Sequence, residues 1–540
     1  MQPWASAAAV PGLWLRRVCW VLLLTLRLRN DGAEAQIYHL QETVIPPNRS
    51  LHMLYTYYVY SHEDAPANKF GPPFVKYHEL SAHSVAGRTD VELQEYNGLQ
   101  LSLMKYDDFF NIIDPEHFCC SVDDVSSGQC AVQDKLRVKL KPGMRLRDGG
   151  VYSDMIKFPG ALGAVHKDKQ LRVRETGVYI LMISNCGDHD SATVSGSVIV
   201  RNPFGFLPGN EYYKMPFYGW LSLIYMMLGM IWMVLSIRWF KELFNLQGCI
   251  AGVIFLGLVE SFLWYLFFTR WNEDGTRTNV LFVLAILSSV AKSIFSYLLV
   301  LVASLGWGVT RPYLDKDITI RIQAICWLYM CLGVIREVVL SFRHSHSLPL
   351  SFVLLCLLPV SLLNGVIFYW VFTALSSLIS TLKDRRQMEK LQLFQRLWAI
   401  LIFSLSIATI TLLYQILDVS RSIADRWKHQ WLFTDGVSHG LYLLVLASMM
   451  YLWAPHKNSQ RYAYSAIEGQ DSKPDLGISR GKSGTDIWAD SDATPNSLGS
   501  LGSSADTIGA ASSTAVLKDT LRELDRIGMD DEEEPTEKLA

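Results

Sequence analysis

Six ionisable side chains lie within or at the edge of runs of sequence too apolar to solvate them: Glu260, Lys292, Arg336, Glu337, Asp435 and His439. A charge held in hydrocarbon costs about 3 kcal/mol or more unless it faces a cavity, water or a partner. Each is therefore a candidate for lining a cavity or an ion path. Glu260 stands about nine residues from the end of its run and Lys292 about a dozen residues into the next, which places both roughly 14 to 19 Å deep at 1.5 Å per residue. Opposite charges at one level can pair. Asp435 and His439, four residues apart, share a helix face and form a natural sensor of an acidic compartment. Arg336 and Glu337 are consecutive, so they point apart and are expected not to neutralise each other simply. The competing reading of all six is a set of buried ion pairs that fixes helix packing and register.

No nucleophile, base and orienting group converge at one membrane level, and no metal-ligand spacing stands out. No catalytic residue, metal or cofactor is expected, and the chain reads as no enzyme. Of nine cysteines, Cys119, Cys120, Cys130 and Cys186 fall in the polar N-terminal region, where export would make them disulfides. A bridge between the neighbours Cys119 and Cys120 would be strained, so each is expected to take one of Cys130 and Cys186. A zinc site is the sharper alternative.

These residues need elements to hold them. The 540-residue chain has a formal net charge of -2, which suggests no nucleic-acid partner. Its mean hydropathy of +0.18 averages a very apolar middle with polar ends. Arg16 and Arg17 precede the apolar run Val18 to Leu26, and Ala33-Glu34-Ala35 offers a small-x-small cleavage site, so residues 1–35 read as a signal peptide. Asn48-Arg49-Ser50 is a glycosylation sequon on Asn48. Residues 36–210 carry short alternating runs, Leu51 to Tyr60, Leu99 to Lys105, Leu136 to Leu140, Val178 to Ser184 and Thr193 to Val200, separated by Gly, Pro, Asn and Asp. They predict a lumenal antiparallel β-sandwich.

Residues 211–455 contain seven apolar spans, near 216–237, 247–269, 279–305, 320–342, 349–373, 396–417 and 431–453. Each suits a helix crossing roughly 30 Å of hydrocarbon. Seven crossings put the tail opposite the sandwich, and the richer Lys and Arg content of the loops on the tail side, Lys383, Arg385 and Arg386 among them, agrees with a cytosolic tail. Tyr218, Trp220, Trp239, Trp271, Trp431 and Trp453 read as interfacial anchors. Residues 456–540 are rich in Ser, Gly, Thr and Asp and read as a disordered cytosolic tail. Within it, Tyr464-Ser465-Ala466-Ile467 fits a Tyr-x-x-apolar sorting motif carried by Tyr464 and Ile467. Val516, Leu517, Leu521, Leu524 and Ile527 could form a short amphipathic helix.

Three further stretches carry a family likeness. Gly177-Val178-Tyr179 leads to Asn185-Cys186 and then Asn202-Pro203-Phe204-Gly205-Phe206-Leu207-Pro208-Gly209. Leu299 to Pro312 ends the third span, and Leu452-Trp453-Ala454-Pro455 runs into Asn458-Ser459-Gln460-Arg461-Tyr462. Over about residues 36 to 465 the sequence resembles the lung seven-transmembrane receptor or GOST family, in its transmembrane protein 87 branch. The resemblance implies a Golgi-dynamics-type β-sandwich above a seven-transmembrane bundle, Golgi residence, and a role in endosome-to-Golgi retrieval and protein or lipid cargo trafficking. It also implies a membrane lipid, such as a phospholipid, in the bundle cavity, with protein cargo or coat adaptors as further partners. Some members have been proposed as cation channels or as regulators of mechanically evoked currents, with acidic and basic positions in spans two, three and seven implicated. Those match Glu260, Lys292 and Asp435.

A G-protein-coupled receptor is the other class that seven spans suggest. The third span ends in Trp307-Gly308-Val309-Thr310-Arg311-Pro312, without an Asp-Arg-Tyr type motif. The seventh lacks Asn-Pro-x-x-Tyr, and the loops between spans hold no cysteine.

Overall fold

The structure, a computed structural model, describes residues 37–46, 49–84, 98–114, 117–130, 132–139, 150–158, 167–187, 192–243, 245–307, 309, 315–345, 350–419 and 423–455. The expected signal peptide, Asn48, the tail with Tyr464 and Ile467, and the helix proposed near Val516 lie outside these residues.

Among the described residues, eight strands form two four-stranded antiparallel sheets. β1 (Ile37–Ile45), β8 (Ala192–Arg201), β3 (Phe74–Ser84) and β6 (Lys167–Arg172) neighbour one another in that order, and β2 (Ser50–Val59), β7 (Gly177–Asn185), β4 (Gly98–Lys105) and β5 (Tyr152–Lys157) make the second sheet. Alternation drives the facing layers together: Leu99, Leu101 and Leu103 of β4 meet Val75, Tyr77, Val194 and Val198 of the other sheet in one core. The sandwich is as expected. β1 and β6 are edge strands with a single pairing, and β3 is broken by a bulge at Glu79 (φ 51°). None of the three stood out in the sequence, whereas β2, also an edge strand, did.

Over its described residues, 136–139, the run expected from Leu136 to Leu140 is not a strand. β4 is already paired on both sides, by β5 and β7, so no edge is free for it. Leu136 instead makes an isolated bridge with Cys119, and its N–H donates to Gln100 Oε1 at 2.7 Å. With α1 (Tyr106–Ile112) and α2 (Val122–Ser126) this segment covers the outer face of the second sheet, forming a second small core around Met104, Phe109, Ile113, Val151, Ile180 and Met182. Disulfides Cys119–Cys186 and Cys120–Cys130 hold the cover to β7 and to itself.

Among the described residues, seven helices are long and apolar enough to cross a membrane. They are α3 (Lys214–Arg238), α4 (Asn245–Asp274), α5 (Asn279–Ser304), α6 (Lys316–Ser345), α7 (Leu350–Asp384), α8 (Met388–Val419) and, after the short α9 (Ile423–Arg426) and a π-helical turn at Leu432–Gly436, α10 (Val437–Leu452). Pro359 sits inside α7. α3 approaches α4 closely because Gly257 leaves room for the Tyr225 ring; a Cβ there would lie 2.5 Å from it. The sandwich end of the bundle and the base of the sandwich share one core, in which Tyr60, Phe204 and Leu207 pack with Tyr218, Phe268, Trp271 and Trp427.

Candidate functional site

Glu260 on α4 and Lys292 on α5 are each 4% exposed, and Lys292 Nζ lies 2.5 Å from Glu260 Oε2. Equal depth in adjacent antiparallel helices brings them together, as the sequence implied. The ammonium also sits 4.2 Å from the Tyr442 ring centroid and 5.8 Å from that of Tyr225, so aromatic faces from α10 and α3 complete its surroundings. Ser296 bonds both Tyr442 Oη and the Lys292 carbonyl, which fixes the turn bearing the lysine.

His439 on α10 approaches the same carboxylate from the other side, its Nε2 3.8 Å from Glu260 Oε1. Its Nδ1 lies 3.0 Å from the backbone carbonyl of Asp435. A carbonyl only accepts, so Nδ1 carries a proton, and the ring's other nitrogen faces Glu260. Phe217 and Tyr218 stand edge-on to the ring, at 5.9 and 5.4 Å between centroids, and hold its plane.

Asp435 belongs to the π-helical turn and does not turn its carboxylate to His439. It accepts from Tyr218 Oη at 3.2 Å and from Thr434 Oγ1 at 2.8 Å, and it pairs with Lys214 Nζ at 3.2 Å. Lys214 opens α3 and also pairs with Glu211 at 2.9 Å. A line of ionisable groups thus descends from Glu211 at the sandwich base, through Lys214, Asp435 and His439, to the Glu260–Lys292 pair roughly 20 Å down α4.

Arg336 and Glu337 correct the expectation that they cannot neutralise each other. The guanidinium's long stem folds back along α6, and Nε (3.0 Å) and Nη2 both reach Glu337 Oε1. They stand apart from the line just described, nearer Tyr297 and Tyr329 between α5 and α6. Among the described residues no group of three metal-ligating side chains occurs.

The anchor reading fails for Tyr218, Trp271 and Trp453, which are at most 4% exposed and pack inside the bundle; Trp220, 68% exposed, fits it. A shallow apolar groove of about 530 Å³ runs between α8 and α10, lined by Ile400, Leu443, Leu444 and Tyr451 among others.

Sequence reasoning missed the junction that seats the sandwich. Asn272, near the end of α4, donates from Nδ2 to the Phe204 carbonyl (2.8 Å) and accepts from the Leu207 N–H at Oδ1 (3.1 Å), while its own carbonyl accepts from the Phe206 N–H (3.0 Å). Asn202 accepts from the Tyr60 N–H at 2.9 Å and donates to the carbonyls of Leu207 and Tyr58. Burial raises the Tyr58 and Tyr60 phenols above their usual range, so both stay neutral here. Arg277, just past α4, is pushed down by burial while its guanidinium lies 4.3 Å from the Trp271 ring centroid. The one signal available was the Asn202-Pro203-Phe204-Gly205 motif, read as a likeness and not as a contact.

A β-sandwich seated on seven membrane-length helices, with a line of buried charge descending from the junction, defines a class of multi-pass membrane protein. Residues 213–460 match the family model described as GOST, seven transmembrane domain. The chain is 28% identical over 302 residues to transmembrane protein 87A of Xenopus tropicalis, an alignment covering 55% of this chain and 54% of that protein. It is 26% identical over 304 residues to transmembrane protein 87B of Mus musculus (56% and 54%), and 26% identical over 308 residues to membrane protein PTM1 of Saccharomyces cerevisiae (55% and 58%). The chain spans a little over half the length of these relatives.

Proposed function

We propose that this chain is a Golgi membrane protein, its sandwich in the lumen and its tail in the cytosol, acting in endosome-to-Golgi retrograde transport and in trafficking of protein or lipid cargo. The observation that carries this reading is the seating of the sandwich. Asn272 and Asn202 bond it to the bundle, and Trp427 packs beneath Tyr58 and Tyr60 at 5.7 and 4.9 Å. A head with its own cores, held at fixed height, suits presentation of cargo to a bundle that accepts a phospholipid or a cargo's lipid, while the tail engages coat adaptors. Family resemblance supports the Golgi assignment, and the charge of the loops supports the orientation. Depletion of the chain from cells is expected to slow return of an endocytosed retrograde reporter to the Golgi; unchanged kinetics would remove the reading.

A second reading has its own observation. The line from Glu211 to Lys292 supports a cation channel, or a regulator of pH-dependent or mechanically evoked cation currents, because cargo binding alone does not require charges so deep. Purified protein in planar bilayers is then expected to pass cation current altered by Glu260→Gln, Lys292→Gln and Asp435→Asn. Silence from folded wild type would dismiss intrinsic conduction.

A further inference from the structure

The base of the sandwich grips two spans that barely touch each other directly. α4 carries Glu260 and α10 carries His439, and these helices meet only sparingly along their length. Asn272 ties α4 to three residues of one short segment, Phe204 by its carbonyl, Phe206 and Leu207 by their N–H groups. The fit admits nothing larger than Gly205: at φ 142°, a Cβ there would stand 2.3 Å from Asn272 Oδ1 and 2.5 Å from its carbonyl oxygen. Asn202 and the Gly209 N–H bind the same segment to the end of β2, at Tyr58 and Tyr60. Those two tyrosines in turn pack on Trp427, which is 1% exposed and stands just before the π-helical turn and α10. A Cβ on Gly209 would lie 2.9 Å from the Trp427 ring. The chain of contacts therefore runs from α4 to the sandwich and from the sandwich to the entry of α10.

We propose that Asn272 is a positioning residue through which the β-sandwich sets the separation of α4 and α10, and so how closely His439 stands to Glu260. The pair it governs sits among Lys214, Tyr218 and Tyr225 from α3, Lys292 from α5, and Asp435 and Tyr442 from the seventh span. At 3.8 Å, Glu260 and His439 are near enough to interact and far enough that a small splaying of the two spans separates them. Movement of the sandwich base on binding a partner would thereby reach the ion-pair line without any contact between partner and bundle. The inference needs only this geometry and rests on neither functional reading above.

The test is a double-mutant cycle on the full chain in nanodiscs, Glu260→Gln and His439→Gln singly and together, read as unfolding midpoints in the wild-type and Asn272→Ala backgrounds. The expected result is non-additivity in the wild type and its loss in Asn272→Ala. Gly205→Ala opens the same clasp from the other side and should also lose it, and Asn111→Ala, an exposed asparagine whose amide bonds only its own helix, should keep it. If Asn272 served stability alone, every midpoint would fall together and the non-additivity would survive. That result in both clasp variants, or an additive cycle in the wild type, overturns the proposal.

Discussion

The Glu260–Lys292 pair sets what single residues can be expected to do. Removing one partner of a buried pair leaves an unpaired charge and costs about 3–5 kcal/mol in comparable cases, whereas removing both charges together costs far less. Glu260→Gln and Lys292→Met should each lower the unfolding midpoint more than Glu260→Gln/Lys292→Met does; additive losses would mean the pair is not coupled. In the sandwich, Asp168 accepts the Glu79 N–H at 2.8 Å and bonds His78, and these two contacts, the first the larger, hold its carboxyl below the ordinary range. A carboxyl lowered on folding stabilises above its unfolded value, about 4, and loses that contribution as pH falls through the folded value. Asp168→Asn should therefore melt below wild type near neutrality, with the gap closing as pH drops below about 4. A gap that does not change with pH would contradict this. Equal depth was legible for Glu260 and Lys292 because counting along two antiparallel runs suffices. The partners of Asp435 were not, because a π-helical turn re-aims its carboxylate and nothing in the residue pattern announces such a turn.

Among elements, the seven spans were readable because about twenty apolar residues in a row admit one structure in hydrocarbon. Their ends were less so: α7 runs to Asp384 and α8 starts at Met388, since polar turns of helix extend past the membrane where composition no longer marks them. Strands told the opposite story. β4 and β7, paired on both sides and buried on both faces, were read as apolar runs, as was the edge strand β2, whereas the edge strands β1 and β6 were not, and Leu136 is no strand because it packs on a face. The approach of α3 to α4 depends on Gly257, so Gly257→Val should drive Tyr225 from its place and cost about 1–3 kcal/mol, as overpacking does elsewhere. An unshifted midpoint would show that the helices part easily. At α2, Ser121 and Asp124 form a reciprocal capping box, and Ser121→Ala should cost about 1 kcal/mol.

For the whole molecule, the sandwich and bundle were each foreseeable but their seating was not, because Asn272 and Trp427 look like ordinary loop-side residues until the chain brings the Phe204 to Gly209 segment between them. Cys119–Cys186 belongs at this scale too, since it fastens the cover of the second sheet to the end of β7. Replacing both cysteines by Ser should destabilise the sandwich by about 2–5 kcal/mol, seen as an earlier unfolding transition that spares the bundle. A single transition shifted as one would mean that the seating couples the two parts completely. The most direct test of the account is return of an endocytosed reporter to the Golgi in cells lacking the chain, restored with wild type or with Glu260→Gln/Lys292→Met. A cargo-presenting head predicts that both restore it; restoration by wild type alone, with the uncharged variant folded and in the Golgi, would contradict the account and put the ion-pair line at the centre of function.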